Sequence, residues 1–137
     1  VDRALIEFEI TETMAYDNQV YMIAILDDLK RRGFRISMDD FGTGYSSFAL
    51  LKEMPLDTLK IDKSFVDLIA DGKDSQKIKI ILRHIFSMAK ELGVSCVAEG
   101  AEEWEQILAL GELGCEIVQG YYYSKPIPVE EFEEKYL

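Results

Sequence analysis

The 137-residue sequence is poor in the side chains on which many enzyme classes depend. It contains one histidine, His84, and two cysteines, Cys96 and Cys115, which stand singly in apolar segments without Cys-x-x-Cys spacing. This scarcity argues against zinc sites and against nucleophilic centres that pair histidine with serine or cysteine. His84 falls off the apolar face of a helical pattern, so we expect it to face solvent. We expect both cysteines to be buried as small apolar residues.

Long apolar runs and an excess of positive charge are also absent. No apolar run approaches the roughly 18 residues that span a bilayer, and the N-terminus lacks the layout of a signal peptide. We therefore expect a cytoplasmic segment that does not insert into a membrane. The chain has 15 lysines and arginines against 26 acidic residues, a formal net charge of −11. Such a charge repels phosphate backbones, so we expect no DNA or RNA polymer as a partner.

An alternation of strand and helix patterns runs along the whole chain, which is 48% hydrophobic and 30% charged. The apolar periodicity predicts strands over 5–12, 34–40, 58–64, 94–100 and 116–124, and helices over 19–32, 46–54, 77–92, 103–113 and 128–133. Five such units in strict order predict an α/β fold with a parallel sheet, and no linker or repeat divides it.

Polar residues recur towards the carboxyl ends of these strands. They are Glu9 and Glu12, Asp39 and Asp40, Lys60 and Asp62, Glu99, and Gln119. Ligands bind at this edge in parallel α/β folds because the strand ends and the following loops converge there. An open sheet covered on both faces would bury Glu9 and Lys60 among apolar side chains, whereas a barrel gathers such groups at its mouth. The pattern therefore favours a barrel.

A cluster of carboxylates with few bases predicts divalent cations. Oxygen ligands without histidine or thiolate suit Mg²⁺, Mn²⁺ or Ca²⁺, and adjacent aspartates can bridge two ions at a phosphodiester. Simpler interpretations stand beside this one. Asp39 and Asp40 could form a turn or cap a helix, and Glu9 could pair with Lys60 in a structural salt bridge. The Gly42-Thr43-Gly44 segment could be an ordinary turn rather than a phosphate-binding nest.

Five stretches of the sequence carry a family resemblance. They are LIEFEITET at 5–13, DDFGTGYSSF at 39–48, LKIDKSFV at 59–66, VAEGAE at 97–102 and QGYYYSKPIP at 119–128. On these motifs the chain resembles the C-terminal part of the EAL domain, a family of cyclic di-GMP phosphodiesterases. The resemblance spans nearly all of residues 1–137. It implies a TIM-like (βα) barrel with one antiparallel strand, and hydrolysis of cyclic di-GMP to linear pGpG with two Mg²⁺ or Mn²⁺ ions that activate water.

The resemblance also implies a role for each polar position. Glu9, Asp39 and Asp40 resemble the metal ligands. Lys60 resembles the lysine that contacts the scissile phosphate, Glu99 a carboxylate that accepts a proton, and Gln119 its polar partner. The supporting positions are Glu12, which resembles the anchor of the loop at 41–47, the loop residues Gly42, Thr43 and Gly44, and Asp62 and Glu102.

The Glu-Ala-Leu motif of the family and its following arginine are absent from this sequence. Because a complete barrel needs about 250 residues and eight strands, we expect a partial barrel that lacks roughly 110 residues and its N-terminal strands. Val1 at the start of the chain fits this expectation. A partial barrel would expose two sheet edges and part of an apolar interior. We expect these to be covered in a homo-oligomer or by the upstream strands, with an open α/β sandwich as the alternative.

Three functional hypotheses follow from these observations. The first is a metal-dependent phosphodiesterase whose longer parent chain carries regulatory or sensory domains. The second is a module that binds cyclic di-GMP without cleaving it. The third is a receiver-like signalling domain, which the sequence disfavours because the aspartate pair follows the second predicted strand and no single phosphoacceptor aspartate ends the next.

Overall fold

The computed structural model describes residues 1–17, 19–43, 48–70 and 74–137. Five strands form one sheet in the order β1-β2-β3-β4-β5, and every neighbouring pair is parallel. The strands are β1 (Glu7–Thr11), β2 (Arg35–Phe41), β3 (Thr58–Ile61), β4 (Ser95–Glu99) and β5 (Ile117–Gln119). The helices are α1 (Glu12–Asp17), α2 (Gln19–Arg31), α3 (Phe48–Glu53), α4 (Lys63–Ala70), α5 (Ser75–Leu92), α6 (Trp104–Glu112) and α7 (Val129–Tyr136). The predicted α/β class and parallel sheet are confirmed.

The hydrophobic core lies between one face of the sheet and the helices. Alternate residues of each strand point to this face, which we call the core face; its members include Ile10, Ile36, Met38, Leu59, Ile61 and Ala98, all buried. Leu26 of α2, Val66 of α4 and Leu82 of α5 are completely or almost completely buried in the same cluster. The apolar alternation along the strands therefore forms one continuous core against the helices.

The opposite face of the sheet, which we call the inner face, is predominantly polar. Its residues are Glu7, Glu9, Thr11, Arg35, Ser37, Asp39, Thr58, Lys60, Ser95, Val97, Glu99, Ile117 and Gln119. The expectation of an apolar interior was wrong for this part of the fold. Its charged side chains pair with one another across neighbouring strands, as in the Arg35–Glu7 ion pair of 2.9 Å. This pairing offsets the cost of placing charged side chains together on one face of the sheet.

Two helices, α1 and α4, were not predicted, and four of the five strands are shorter than predicted, the third and the fifth among them. The strand predicted over 58–64 ends at Ile61, because Asp62 caps α4 by accepting a hydrogen bond of 2.9 Å from the Ser64 N–H. The strand predicted over 116–124 ends at Gln119, where Gly120 begins a turn. At the other end of the chain, Glu12 opens α1 instead of closing the first strand. The start predicted for the helix at 46 lies outside the described residues.

The rare side chains lie where the sequence predicted them, except that Cys96 is not fully buried. His84 is exposed on α5, while Cys115 is buried and Cys96 is partly buried. Burial raises the pKa of the Cys96 thiol to about 12, and the pKa of Cys115 is raised for the same reason. Neither thiol is therefore ionised near neutral pH. Within the part of the chain that the structure describes, no helix combines the length and the apolar character needed to cross a membrane.

Candidate active site

Lys60 on β3 is the centre of the polar cluster on the inner face. Its ammonium donates hydrogen bonds of 2.9 Å to Glu9 Oε1 and of 2.9 Å to Glu99 Oε1, and it lies 3.4 Å from Asp39 Oδ1. Burial would lower the pKa of Lys60, but the hydrogen bonds to Glu99 and Glu9 raise it instead. Lys60 therefore remains a cation at any physiological pH, held by carboxylates from three other strands.

A β-bulge explains how two consecutive aspartates both approach Lys60. Met38 pairs with Leu59 and Phe41 pairs with Ile61, so Asp39 and Asp40 together oppose one residue of β3. Strict alternation would send one of the two aspartates to the core face. The bulge keeps both near the cluster, a use that bulges have beside many active sites.

Asp40 has a strained backbone and a crowded carboxylate. Its φ of 55° lies in the left-handed region that few residues other than glycine adopt. Burial raises the pKa of Asp40, and the charges of Asp39 and Asp62 raise it further. The Asp40 carbonyl accepts a hydrogen bond of 2.9 Å from the Thr43 hydroxyl, which fixes the turn after β2. The Asp40 carboxylate thus lies among like charges that Lys60 offsets only in part.

Glu99 and Gln119 end neighbouring strands and are paired in register. The pKa of Glu99 is raised because burial outweighs its hydrogen bond to Lys60. A cavity of about 690 Å³ opens beside these two residues, and Glu102, Tyr121 and Lys125 contribute to its lining. A carboxylate with a raised pKa at the mouth of a cavity is well placed to exchange protons with a ligand.

Glu12 connects the end of β1 to the loop after β2. Its side chain is 2% exposed, and its Oε2 accepts a hydrogen bond of 3.2 Å from the Gly42 N–H. Gly42 has a φ of 101°, and a Cβ at this position would lie 2.3 Å from the Phe65 ring. Only glycine therefore fits between Glu12 and Phe65. Gly44, the last of the three loop residues predicted to support the site, lies outside the described residues.

Asp62 and Glu102 lie near the cluster without joining it. Asp62 caps α4, and its pKa is lowered chiefly by the hydrogen bond to Ser64. Glu102 forms an ion pair of 3.0 Å with Lys63, which also binds Asp67 at 2.9 Å. The structure therefore separates two lysine-centred groups, one around Lys60 on the sheet and one around Lys63 at the start of α4.

Several residues that shape this region were not identified from the sequence. A Cβ on Gly120 would lie 2.0 Å from the Ala101 carbonyl oxygen, so the turn after β5 presses directly on the backbone after β4. This contact helps to hold Gln119 beside Glu99. The inner-face ion pair of Glu7 and Arg35 was also missed, because alternation assigns each residue to a face while the pairing depends on the register of β1 with β2.

The donor atoms of the cluster suit hard divalent cations. Glu9, Asp39, Asp40 and Glu99 offer only carboxylate oxygens, the ligands preferred by Mg²⁺, Mn²⁺ and Ca²⁺. Among the residues described, however, no three acidic, histidine or cysteine side chains converge closely enough to hold an ion. The carboxylates converge on Lys60 instead. The chemistry of the site therefore fits metal ions, while its present geometry is that of a salt-bridge cluster.

Comparison with known families agrees with this arrangement. The family model described as "EAL domain" matches residues 1–126. The chain belongs to the EAL domain family. It is 43% identical over 130 residues to the cyclic di-GMP phosphodiesterase NbdA of Pseudomonas aeruginosa. The matched region covers 94% of this chain and 16% of NbdA. The cyclic di-GMP phosphodiesterase RocR of the same organism is 38% identical over 91% of this chain and 31% of RocR.

Solved EAL structures share the fold. The PaMucR phosphodiesterase in complex with c-di-GMP superposes with a TM-score of 0.87 at 36% identity, covering 96% of this chain and 52% of that chain. Klebsiella pneumoniae BlrP1, in a manganese/cy-diGMP complex, gives a TM-score of 0.85 at 28% identity, covering 92% of this chain and 31% of that chain. The EAL chain thus spans about half or less of each of these relatives, and its five parallel strands correspond to part of their domain.

Proposed function

We propose that this chain forms part of the active site of a phosphodiesterase that hydrolyses cyclic di-GMP to linear pGpG. The observation that carries the proposal is the cluster of Glu9, Asp39, Glu99 and Lys60 on the inner face of an EAL-family sheet. The substrate class follows from the relatives, among which NbdA and RocR are named as cyclic di-GMP phosphodiesterases.

Glu9, Asp39 and Asp40 are the residues that we propose to hold two Mg²⁺ or Mn²⁺ ions. Such ions, when bound, neutralise a phosphodiester and make a water molecule more acidic. Support comes from the oxygen-only donor set and from the manganese complex of the related BlrP1. The raised pKa of Asp40, which burial and its acidic neighbours cause, supports the same assignment because a cation would relieve that repulsion.

Lys60, Glu99 and Gln119 are the residues that we propose to act on the substrate. Lys60 keeps its proton and can donate a hydrogen bond to a phosphate oxygen. Glu99 has a raised pKa and can accept a proton from an attacking water. Gln119 offers an amide beside Glu99 that can orient the same group. To serve the reaction, Lys60 must exchange at least one of its three carboxylates for the phosphate.

The cavity beside Glu99 supports a nucleotide ligand. Its volume is about 690 Å³, within the range of small-molecule pockets, and Tyr121, Lys125 and Phe132 line it. Aromatic faces stack on purine bases, and the lysine complements phosphate in a chain that is otherwise strongly acidic. We propose that one guanine of the ligand occupies this cavity.

The direct test is a chromatographic time course of cyclic di-GMP with the chain and Mn²⁺. The variant Glu99→Gln keeps the size and hydrogen-bonding capacity of the side chain but removes its basicity. Glu112→Gln, at an exposed position on α6, is the matched control. We expect pGpG from the wild type and from Glu112→Gln, and none from Glu99→Gln. Equal rates in all three proteins would contradict the proposed role of Glu99.

A binding module without hydrolysis is the second candidate. It is favoured by the convergence of the described carboxylates on Lys60, with no group of three close enough to hold an ion. Titration calorimetry with cyclic di-GMP in the presence of Ca²⁺, followed by chromatography with Mn²⁺, separates the two functions. Binding without product favours the module, and binding with product favours the enzyme.

The wider setting of the chain is also a proposal. Because the chain matches only 16% of NbdA, we propose that regulatory or sensory domains share its polypeptide. We also propose that the chain works in the cytoplasm. β1 and β5 are the edge strands of the described sheet. We propose that further strands of the same polypeptide, or a second copy of the chain, pair with these edges.

A further inference from the structure

The ion pair between Lys60 and Glu99 lies at the point where β3 and β4 stop pairing with each other. The last registered pair of these two strands is Ile61 with Ala98. Glu99 lies one residue past this pair and is in register with Gln119 of β5. Lys60 and Glu99 are nevertheless joined by an ion pair of 2.9 Å. The separation of their side chains therefore depends on contacts made after the ladder between β3 and β4 ends.

Lys63, the first residue of α4, connects the segments that follow these two strands. Its ammonium donates a hydrogen bond of 3.3 Å to the Gly100 carbonyl oxygen and one of 3.0 Å to Glu102 Oε1. Gly100 directly follows β4, and Lys63 is separated from β3 by the single residue Asp62. The bond to Gly100 thus joins the two segments two residues beyond the last ladder pair. We call Lys63, Gly100 and Glu102 the strand-end contact.

Gly100 allows Lys63 to lie directly against the backbone after β4. A Cβ at Gly100 would lie 2.5 to 2.7 Å from three carbon atoms of the Lys63 side chain. Gly100 also has a φ of 76°, in the left-handed region that favours glycine. The lysine stem therefore occupies the space that a side chain at position 100 would take. The strand-end contact thus combines close packing with two hydrogen bonds.

Two other contacts hold the turn after β4, but they act elsewhere. The Ala101 N–H donates a hydrogen bond of 3.2 Å to the Gln119 carbonyl oxygen, which ties the turn to β5 rather than to β3. Gln106 Nε2 lies 3.4 Å from the Val66 carbonyl oxygen, about one helical turn further along α4 than Lys63. Among the contacts that the structure describes, the strand-end contact is therefore the one that joins β3 and β4 immediately beyond their ladder.

We propose that Lys63 is a positioning residue that holds Glu99 against Lys60 by joining the ends of β3 and β4. With the strand-end contact in place, the end of β4 lies close enough for the ion pair of 2.9 Å. Without it, the strand ends can separate, because the ladder does not restrain them at this level. The ion pair between Lys60 and Glu9 does not involve β4 and is kept. The inference rests on the proposed function only for its consequence, the alignment of Glu99 with an attacking water.

The test compares how often Lys60 is coupled to each of two carboxylate partners in the 137-residue chain without substrate or metal. A carbodiimide condenses an ammonium and a carboxylate that are in contact into an amide, with loss of water. Peptide mass spectrometry then gives the ratio of the Lys60–Glu99 product to the Lys60–Glu9 product. We expect Lys63→Met to lower this ratio by about threefold, a change that the loss of partly exposed ion pairs allows. The Lys60–Glu9 product is the internal control.

Two further variants separate positioning from a general loss of stability. Asp67→Asn removes the partner that Lys63 has on its own helix, at 2.9 Å, and should keep the wild-type ratio. Glu102→Gln removes the ion pair of the strand-end contact but leaves the bond to Gly100. It should lower the ratio by a smaller factor, and it replaces Lys63→Met if that variant does not fold.

Three results would overturn the proposal. They are an unchanged ratio in Lys63→Met, or in Glu102→Gln where it takes the place of that variant, an equally lowered ratio in Asp67→Asn, and a wild type without the Lys60–Glu99 product. A merely structural role of Lys63 would lower both products together and leave their ratio unchanged. The measurement does not need hydrolysis, so failure of the proposed phosphodiesterase activity is recorded separately by the chromatographic assay.

Discussion

Lys60 on β3 and Glu9 on β1 are joined by an ion pair of 2.9 Å that passes over the intervening strand β2. Ser37, the β2 residue in register with Glu9, is small and buried, so it leaves room for this contact on the inner face. It ties two non-adjacent strands together at the point where carboxylates accumulate. One lysine thereby fixes the geometry of the whole cluster, and its removal should affect both stability and ion binding.

Replacing Lys60 by methionine should lower the free energy of unfolding by roughly 2 kcal/mol or more, because carboxylates are left without their cation. The Lys60 side chain is 12% exposed, and three acidic residues depend on it. Lys63→Met is the matched control, since Lys63 also binds two carboxylates but its side chain is 45% exposed. Lys63→Met should lower the free energy of unfolding by about 1 kcal/mol or less. Urea unfolding of the three proteins measures both values.

Added Mn²⁺ should change the melting temperatures of the two lysine variants by different amounts. In Lys60→Met the carboxylates have lost their ammonium, so a cation that binds them should raise the melting temperature more than in the wild type. Lys63→Met should respond as the wild type does. An identical Mn²⁺ response in all three proteins would contradict the assignment of Glu9 and Asp39 as metal ligands.

Asp40→Asn should stabilise the chain at neutral pH. The pKa of Asp40 is raised from the ordinary 3.8, chiefly by burial and then by Asp39, so the ionised side chain is disfavoured in the folded state. The gain should be roughly 0.2 to 0.5 kcal/mol because solvent screens an exposed carboxylate. It should disappear as the pH falls below the raised pKa, where the wild-type side chain is protonated. A gain that persists unchanged at pH 3 would show another cause.

Gly120→Ala should be strongly destabilising. The new Cβ would lie 2.0 Å from the Ala101 carbonyl oxygen, and backbone atoms cannot yield as a long side chain can. We expect the free energy of unfolding to fall by about 2 to 3 kcal/mol. Gly111→Ala is the control, because its Cβ would meet nothing within 4 Å on helix α6. It should raise stability by about 0.5 to 1 kcal/mol, the usual preference for alanine in a helix. Thermal unfolding of both variants is the measurement.

Asp57→Asn should remove a pH-dependent contribution to stability. Asp57 accepts a hydrogen bond of 2.8 Å from the Ile36 N–H and pairs with Lys30. Burial would raise its pKa, but the bonds to Lys30 and Ile36 lower it below the ordinary 3.8. At neutral pH the free energy of unfolding should be about 1.5 kcal/mol higher for the wild type than for the variant. The difference should vanish as the pH falls through the lowered pKa.

An exposed ion pair provides the comparison for Asp57. Asp74 lies 3.4 Å from Lys77, and its side chain is 68% exposed. Asp74→Asn should change stability by about 0.5 kcal/mol or less at any pH. If Asp57→Asn and Asp74→Asn lowered the free energy of unfolding equally, partial burial would not explain the destabilisation of Asp57→Asn.

The sequence predicted the strands and their polar carboxyl ends because both depend on local alternation. Glu9, Lys60 and Glu99 could be placed on one face from their spacing alone, and the structure brings them together. The ends of the third and fifth strands could not be predicted in this way. β5 ends at the close backbone contact of Gly120, and β3 ends where Asp62 caps α4. Neither feature belongs to the alternating pattern.

The β-bulge could not be predicted from alternation. A period of two residues sends Asp39 and Asp40 to opposite faces, and only the pairing of β2 with β3 shows that both oppose Lys60. The polar character of the inner face was also misjudged. Glu7 and Arg35 are separated by 28 positions in the sequence, so their pairing depends on the register of β1 with β2.

The two faces of the sheet divide its residues into separate sets. Ile36, Met38 and Leu59 pack against helices, while Ser37, Asp39 and Lys60 alternate with them on the inner face. Substitutions in the second set therefore leave the packing of the first intact, and their cost arises from the charge balance around Lys60. A lineage built on this sheet could lose hydrolysis, change its ion or become a receptor while still folding in the same way.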